Sequence, residues 1–235
     1  MQEDALIIIE HLTKKFPIGG REFTALDDVS LTFRKGEFTG LVGPSGSGKT
    51  TLLNIMGALD DPTQGMAVVM GKDTRRLSHA RAAQLRNEHL GFIFQTYNLL
   101  PVYTVYENVE FPLLLLGVKP PERRKAVMQA LEWVGLADRS KSRPSQLSGG
   151  ESQRVAVARA MVKMPRIVLA DEPTANLDAA NSHNILKMMA RLNRELASTF
   201  IFATHDEKVI RYLRRLISLA DGMIVADQEK TPEEH

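Results

Sequence analysis

The eight residues GPSGSGKT, at positions 43–50, constrain this chain more tightly than any other stretch of it. They fit the pattern G-x-x-x-x-G-K-[ST], in which glycines let successive backbone N–H groups converge on phosphate oxygens. The lysine then supplies a mobile positive charge, and the last hydroxyl faces Mg²⁺. Such a loop needs a strand before it and a helix behind it. FTGLVG (38–43) is short and apolar, and TLLNIMGAL (51–59) is apolar at helical spacing, so both are present. The helix dipole adds to the attraction for an anion. Gly43, Pro44, Ser45, Gly46, Ser47, Gly48, Lys49, Thr50 and Thr51 are therefore the candidate nucleotide-binding residues, with Lys49 also a candidate catalytic group and Thr50 a candidate metal ligand.

The remaining pattern points to an α/β fold. LIIIEHL (6–12), VSLTF (29–33) and MAVVMG (66–71) read as strands of a small β layer, the first two separated by the turn-rich PIGGRE. RIVLAD (166–171) and TFIFAT (199–204) read as buried strands, and between them SHNILKMMARLNREL sets Ile185, Met188, Met189, Leu192 and Leu196 at helical intervals. LISLADGMIVAD reads as a hairpin turning at Asp221-Gly222. Helix formers dominate 80–86 and 122–137; the stretch GFIFQTYNLLPVYTVYENV between them starts as a strand and continues as an apolar loop. Strands alternating with helices predict a parallel sheet, and 80–162 has the character of a helical insertion. The tail QEKTPEEH (228–235) is expected to be disordered.

Composition excludes several classes. Thirty basic and 28 acidic side chains leave a formal charge of +2, so no global field draws the chain to nucleic acid or an anionic membrane. With no cysteine, disulfides and thiolate metal sites are ruled out, and a reducing compartment fits. MQEDALIIIE is acidic where a secretory signal would be basic. The longest apolar stretch elsewhere, FPLLLLGV (111–118), is far short of a membrane span, so any membrane role is expected through a partner. The basic stretches ERRK (122–125) and RYLRRL (211–216) read as solvated faces of amphipathic helices rather than nucleic-acid contacts.

RIVLADEP ends a buried strand on two adjacent carboxylates, and successive strand residues face opposite ways. Asp171 is thus a candidate for holding Mg²⁺ through water and Glu172 for orienting and deprotonating an attacking water. Without the phosphate loop, the same pair would fit a cap or a solvated turn equally well. His205 follows TFIFAT, at the end of a parallel strand where ligands gather, and is placed for a γ-phosphate contact. His79, His89 and His183 lie in predicted helices or loops and read as solvated or capping. Gln95, closing GFIFQ, could ligate Mg²⁺ or simply end a strand. A second phosphate-cradle pattern, LSGGESQRVAVARA (147–160), places two glycines at the start of a helix.

GPSGSGKT, Gln95, LSGGE, RIVLADE, ANLD (175–178) and His205 occur together in the order found in ATP-binding cassette (ABC) ATPases, and this resemblance covers nearly the whole chain. It implies a P-loop NTPase with a RecA-like parallel sheet core, an antiparallel β subdomain and an inserted helical subdomain. Residues 1–95 and 163–235 would form the core and 96–162 the helical part. The resemblance makes Gln95 the loop glutamine that contacts Mg²⁺ and senses a membrane partner, Asp178 part of the dimer-contacting loop, and His205 the switch histidine. Phe16 sits where the family stacks an aromatic on adenine, although a core or turn role fits it too. LSGG would close over ATP bound by a second subunit, with Ser148, Gly149 and Gly150 meeting the γ-phosphate. The resemblance therefore implies a homodimer, or a pairing with a similar ATPase subunit, around two MgATP. Glu151 stands where glutamine is more usual, and its carboxylate is expected to turn away from phosphate or cap the helix.

A finer resemblance is to the LolD and MacB branch of bacterial envelope ATPases, carried by LLNIMGALDDPTQG, GFIFQTYNLLPVYTVYENVEFPLLL, LSGGESQRVAVARAMV and ADEPTANLD. It implies lipoprotein release or macrolide export, integral membrane subunits as partners, and a place at the cytoplasmic face of the bacterial inner membrane. LLPVY (99–103) would line the docking groove. The competing function, a soluble ABC ATPase acting on DNA or ribosomes, would lead one to expect coiled-coil insertions, zinc sites or fused cassettes, and the sequence carries no sustained heptads and no cysteine.

Overall fold

The computed structural model describes residues 4–231. Strands β1 (Ala5–Ile18) and β2 (Arg21–Arg34) form a long hairpin closed by Gly19 and Gly20 at φ 58° and 79°. A left-handed pair at that turn matches the twist of the strands, and glycine takes it without Cβ strain. Ile7 pairs with Phe33 and Ile9 with Leu31 across the hairpin, and all four are buried. β3 (Phe38–Val42) leads through the glycine loop into α1 (Lys49–Met56). β4 (Gln64–Val69) then pairs with β1, and β5 (Lys72–Asp73) with β4, completing an antiparallel sheet ordered β2-β1-β4-β5. Its inner face packs on Leu41 and on Leu52, Leu53, Ile55 and Met56 of α1, which fastens the small sheet to the loop it flanks.

After α2 (His79–His89) come β6 (Leu90–Ile93), α3 (Val105–Leu115), α4 (Pro120–Trp133) and α5 (Gly149–Met161). The chain then alternates β7 (Ile167–Asp171), α6 (Ala179–Leu196), β8 (Thr199–Thr204), α7 (Glu207–Ile210), β9 (Arg215–Ala220) and β10 (Met223–Glu229). The second sheet is ordered β10-β9-β3-β8-β7-β6, parallel except for the edge strand β10. Val42 pairs with Thr204 and Asp171 with Ala203, so β3, β7 and β8 end side by side. That shared edge is where the phosphate loop, the carboxylates and the histidine meet. Phe38, Phe200 and Phe202 belong to a core that continues through α6 into α3, α4 and α5.

The structure corrects four expectations. TVYENV, the end of the stretch expected to be an apolar loop, instead opens α3, because Thr104 and Glu107 form a complete capping box and Val105, Val109 and Leu113 bury one face of the helix. Pro112, inside α3, withholds a bond from the carbonyl one turn back, and the helix ends three residues later. The first hairpin runs well past LIIIEHL and VSLTF, so KKFPI is strand. Gln228 and Glu229 belong to β10, while 232–235 lie outside the described residues.

Fourth, RYLRRL runs from a turn into β9 rather than along a helix, whereas ERRK lies on α4 with Glu122, Arg124 and Lys125 exposed, as expected. Arg215, in β9, grips both carboxylate oxygens of Asp227 at 2.8 and 2.7 Å and reaches Glu37 at 2.9 Å; the bonds to Asp227 hold its pKa above the ordinary arginine value. Arg214 lies over the Phe38 ring, and Arg123 is partly buried against Glu110 at 2.8 Å. Among the described residues no helix is long and apolar enough to cross a membrane.

Candidate active site

The loop between β3 and α1 is moulded against its neighbours. A Cβ on Gly43 would lie 2.2 Å from the Leu219 carbonyl oxygen, and one on Gly48, at φ 100°, 2.6 Å from that of Ala25. Neither place admits a side chain. The β9–β10 turn presses the loop from behind, since the Gly222 N–H donates to the Ser47 carbonyl at 3.2 Å and the Asp27 N–H to the Gly222 carbonyl at 2.9 Å. Pro44, Ser45 and Gly46 are exposed on the open side.

Lys49 is 6% exposed, and its Nζ donates to the carbonyls of Gly43 and Pro44, both at 2.8 Å. Burial lowers its pKa, while Glu172 and Asp171 act in the opposite direction. Thr50 Oγ1 donates to Asp171 Oδ1 at 3.1 Å, so the two candidate metal ligands already converge. Burial pushes the Asp171 carboxyl pKa up, partly offset by the Thr50 bond and reinforced by the neighbouring Glu172. A divalent cation beside Thr50 and Asp171 would relieve that disfavoured charge. Ser47 Oγ, buried in the loop, has no hydrogen-bond partner. An orphaned hydroxyl, a buried ammonium and a hydroxyl–carboxylate pair together fit a polyphosphate with Mg²⁺.

Glu172 takes φ 44°, a left-handed conformation that costs a non-glycine residue about 1–3 kcal/mol. This bend turns its side chain away from Asp171 and toward β8. There Thr204 Oγ1 donates to Oε2 at 3.0 Å, and His205 Nδ1 lies 2.6 Å from Oε1. The carboxylate is largely enclosed, with its side chain 17% exposed, and the 61% exposed imidazole stands at its open side. Asp171 and Glu172 thus occupy different environments.

The profile of the ABC transporter family matches residues 26–175. The chain belongs to that family. The macrolide export ATP-binding/permease protein MacB of Burkholderia thailandensis is 44% identical over 225 residues, 96% of this chain but 34% of MacB, so the chain spans about a third of the length of the curated relatives it matches. Among solved structures, the dimeric bacterial ABC transporter cassette MJ0796 aligns with TM-score 0.88 at 39% identity, over 95% of this chain and 98% of that one. A post-hydrolysis dimer of the same cassette, bound to ADP and Pi, aligns with TM-score 0.88 at 38% identity, over the same shares. The cassette cbiO1 from Clostridium perfringens gives 0.87 at 28%, over 97% and 89%.

In this ABC chain the LSGGE segment opens α5. Ser148 caps α5, its Oγ accepting from the Glu151 N–H at 3.2 Å while Glu151 Oε2 accepts from the Ser148 N–H at 2.8 Å. Glu151 Oε1 also lies 3.6 Å from Arg139, so its carboxylate is spent on the cap and that neighbour. Gly149 and Gly150 lie beside Asn176 and Asn181, next to Asp178, which caps α6. No hydrogen bond or ion pair among the described residues joins Ser148, Gly149 or Gly150 to Lys49, Thr50, Asp171, Glu172 or His205. Gln95 is exposed after β6, and its carbonyl accepts from Asn176 Nδ2 at 2.8 Å. Phe16, half-buried on β1 beneath the Lys14 ammonium, is two residues along from Lys14, whose cross-strand partner Leu26 touches Gly48.

Two α5 residues escaped the sequence reading because nothing local marks them. Gln153 donates to the Pro173 carbonyl, directly after Glu172. Arg159 donates to the carbonyls of Tyr97 and Asn98 at 2.7 and 2.5 Å, two non-glycine residues at φ 58° and 50°. Burial lowers the Arg159 pKa. Arg159→Met leaves the strained Gln95 loop without its clamp, at an expected cost of about 2–3 kcal/mol. In a domain of this size that is a fall in Tm of roughly 5–10 °C. Thermal unfolding and amide exchange at 95–99 check it; an unchanged Tm would contradict the clamp.

Proposed function

We propose that this chain is the ATP-hydrolysing cassette of a bacterial membrane transporter, working as a pair of chains around two MgATP. The observation that carries this is the ordered edge of the parallel sheet, with phosphate loop, Thr50–Asp171 pair and Glu172–His205 pair side by side. Gly43–Thr51 and Lys49 grip the phosphates, Thr50, Asp171 and Gln95 serve the metal, and Phe16 stacks on adenine. Bound Mg²⁺ would neutralise charge building on the phosphate oxygens. Glu172 receives the proton of the attacking water, and His205 positions that carboxylate and contacts the γ-phosphate. The Ser148–Gly150 segment completes the site of a second copy, where the start of α5 offers N–H groups and a positive dipole end to phosphate.

Similarity to MacB supports macrolide-export-like transport, with the chain at the cytoplasmic face of the inner membrane. The soluble DNA or ribosome function has no comparable support. The docking surface for integral membrane subunits is the groove of about 320 Å³ between the parallel sheet and α3, where Phe94, Leu100, Phe111 and Pro112 lie over Arg159 and Lys163. Val102 is 72% exposed and Leu115 62% exposed beside it. An apolar helix carrying a carboxylate suits this lining, and burial has already lowered the Lys163 pKa to about 8.

The deciding experiment is the solution mass of Glu172→Gln by light scattering with and without MgATP. A dimer that forms only with MgATP supports the reading, and a nucleotide-bound monomer removes the homodimer. For the groove, Leu115→Glu is expected to leave ATPase within about twofold while abolishing recovery of integral membrane proteins in a pull-down. Undiminished recovery would place docking elsewhere.

A further inference from the structure

Helix α5 begins at Ser148–Gly150, the segment assigned above to the site of a second copy, and one turn later touches the turn that carries this chain's candidate base. Gln153 lies one turn in from Gly149, about 6 Å along the axis, and is fully buried. Its Nε2 donates to the Pro173 carbonyl at 2.5 Å. Only the NH₂ end of a carboxamide can donate to a carbonyl, so the partner fixes which way the group points. Its Oε1 is left buried without a hydrogen-bond partner.

The turn it holds is constrained at other points. Glu172 bends at φ 44°, its N–H donates to the Ala203 carbonyl at 2.9 Å, and its carbonyl accepts from the Ala175 N–H at 3.2 Å. Gln153 is a side-chain tie from α5 to this turn, attached one residue after the candidate base. Buried acceptors are normally paired, so the unpaired Oε1 marks a conformation that a small shift of α5 can improve. Catalytic geometry is steep, with displacements near 1 Å costing on the order of 10² in rate.

We propose that Gln153 is a positioning residue that couples the two nucleotide sites. When the Ser148–Gly150 end of α5 engages phosphate held by the second copy, α5 shifts as a rigid body. Gln153 then draws the Pro173 carbonyl, and with it Glu172, into the working position of its own chain's site. This rests on the two-chain reading above.

The test uses Gln153→Met, which keeps length and volume but removes the donor. In the Glu172→Gln background, single and double variants should both dimerise with MgATP at midpoints within about twofold. Dimerisation should slow amide exchange at 172–176 roughly tenfold in the single variant and leave it unchanged in the double. In the otherwise native chain, Gln153→Met should lower kcat about 10- to 100-fold with KM nearly constant. Equal exchange protection in both, or a kcat within twofold of native, overturns the coupling while leaving the two-chain reading intact. A Glu172→Gln chain that stays monomeric overturns both. Should Gln153→Met fail to fold, Gln153→Glu replaces it, since its neutral carboxyl can donate to Pro173. Its kcat relative to native is expected to rise as pH falls, and a flat ratio overturns the proposal.

Discussion

Glu172→Gln is expected to keep nucleotide affinity within about threefold of native and to lower turnover by on the order of 10²–10³ or more. The substitution preserves the size of the side chain and its reach to Thr204 and His205, so the turn after β7 has little reason to move. What it removes is the capacity to take a proton. The native carboxylate is held at one oxygen by Thr204 at 3.0 Å and at the other by His205 at 2.6 Å. In the proposed role, a water approaching from the phosphate loop would meet a base whose orientation is already set, which is where most of the catalytic advantage of positioning lies. An amide in the same place still accepts a hydrogen bond but gives the proton nowhere to go. Equilibrium binding of a fluorescent nucleotide and phosphate release on one preparation separate the two effects. Near-native release would remove Glu172 as the base, and loss of binding would mean that the variant had disturbed the loop.

The parts of this site that were legible in the sequence are those whose chemistry is local. A phosphate loop needs its glycines, lysine and hydroxyl within eight residues, and the buried strands IVLAD and TFIFAT run directly into the candidate residues Asp171, Glu172 and His205, so the shared sheet edge could be anticipated. The same is true of the Asp221-Gly222 hairpin, where both residues take left-handed backbone (φ 48° and 79°). Helix α3 was hidden because the continuous apolar run FPLLLL masks the spacing of Val105, Val109 and Leu113, and because Pro112 reads as a breaker. Its actual signal was Thr104 followed three residues later by Glu107.

Other features depend on distant partners. Arg215 looks like one of a string of surface cations until the fold brings Glu37 and Asp227 against it. Gln153 and Arg159 occupy ordinary positions in a helical pattern, and their meaning comes from the Pro173, Tyr97 and Asn98 carbonyls they find. Glu172's left-handed backbone could not be read either, since glutamate carries no preference for it and the surrounding turn imposes it.

Lys49→Ala should act on binding itself. In this structure the ammonium is folded into its own loop, shared between the Gly43 and Pro44 carbonyls at 2.8 Å each. Incoming phosphate oxygens offer it a stronger, charged acceptor, and charge-assisted bonds contribute about 1.5–3 kcal/mol apiece. Losing one or two of them weakens nucleotide affinity by roughly 10²-fold, which titration of the purified chain reads directly. Unchanged affinity would count against the phosphate-loop assignment. Lys49→Arg separates charge from shape. The loop backbone is packed so closely that no Cβ fits at Gly43 or Gly48, and a planar fork needs more room than a compact ammonium. Arginine is therefore expected to remain at least about tenfold weaker than lysine. Full recovery with arginine would mean that positive charge alone holds the phosphates and that the tight moulding of the loop serves only its fold.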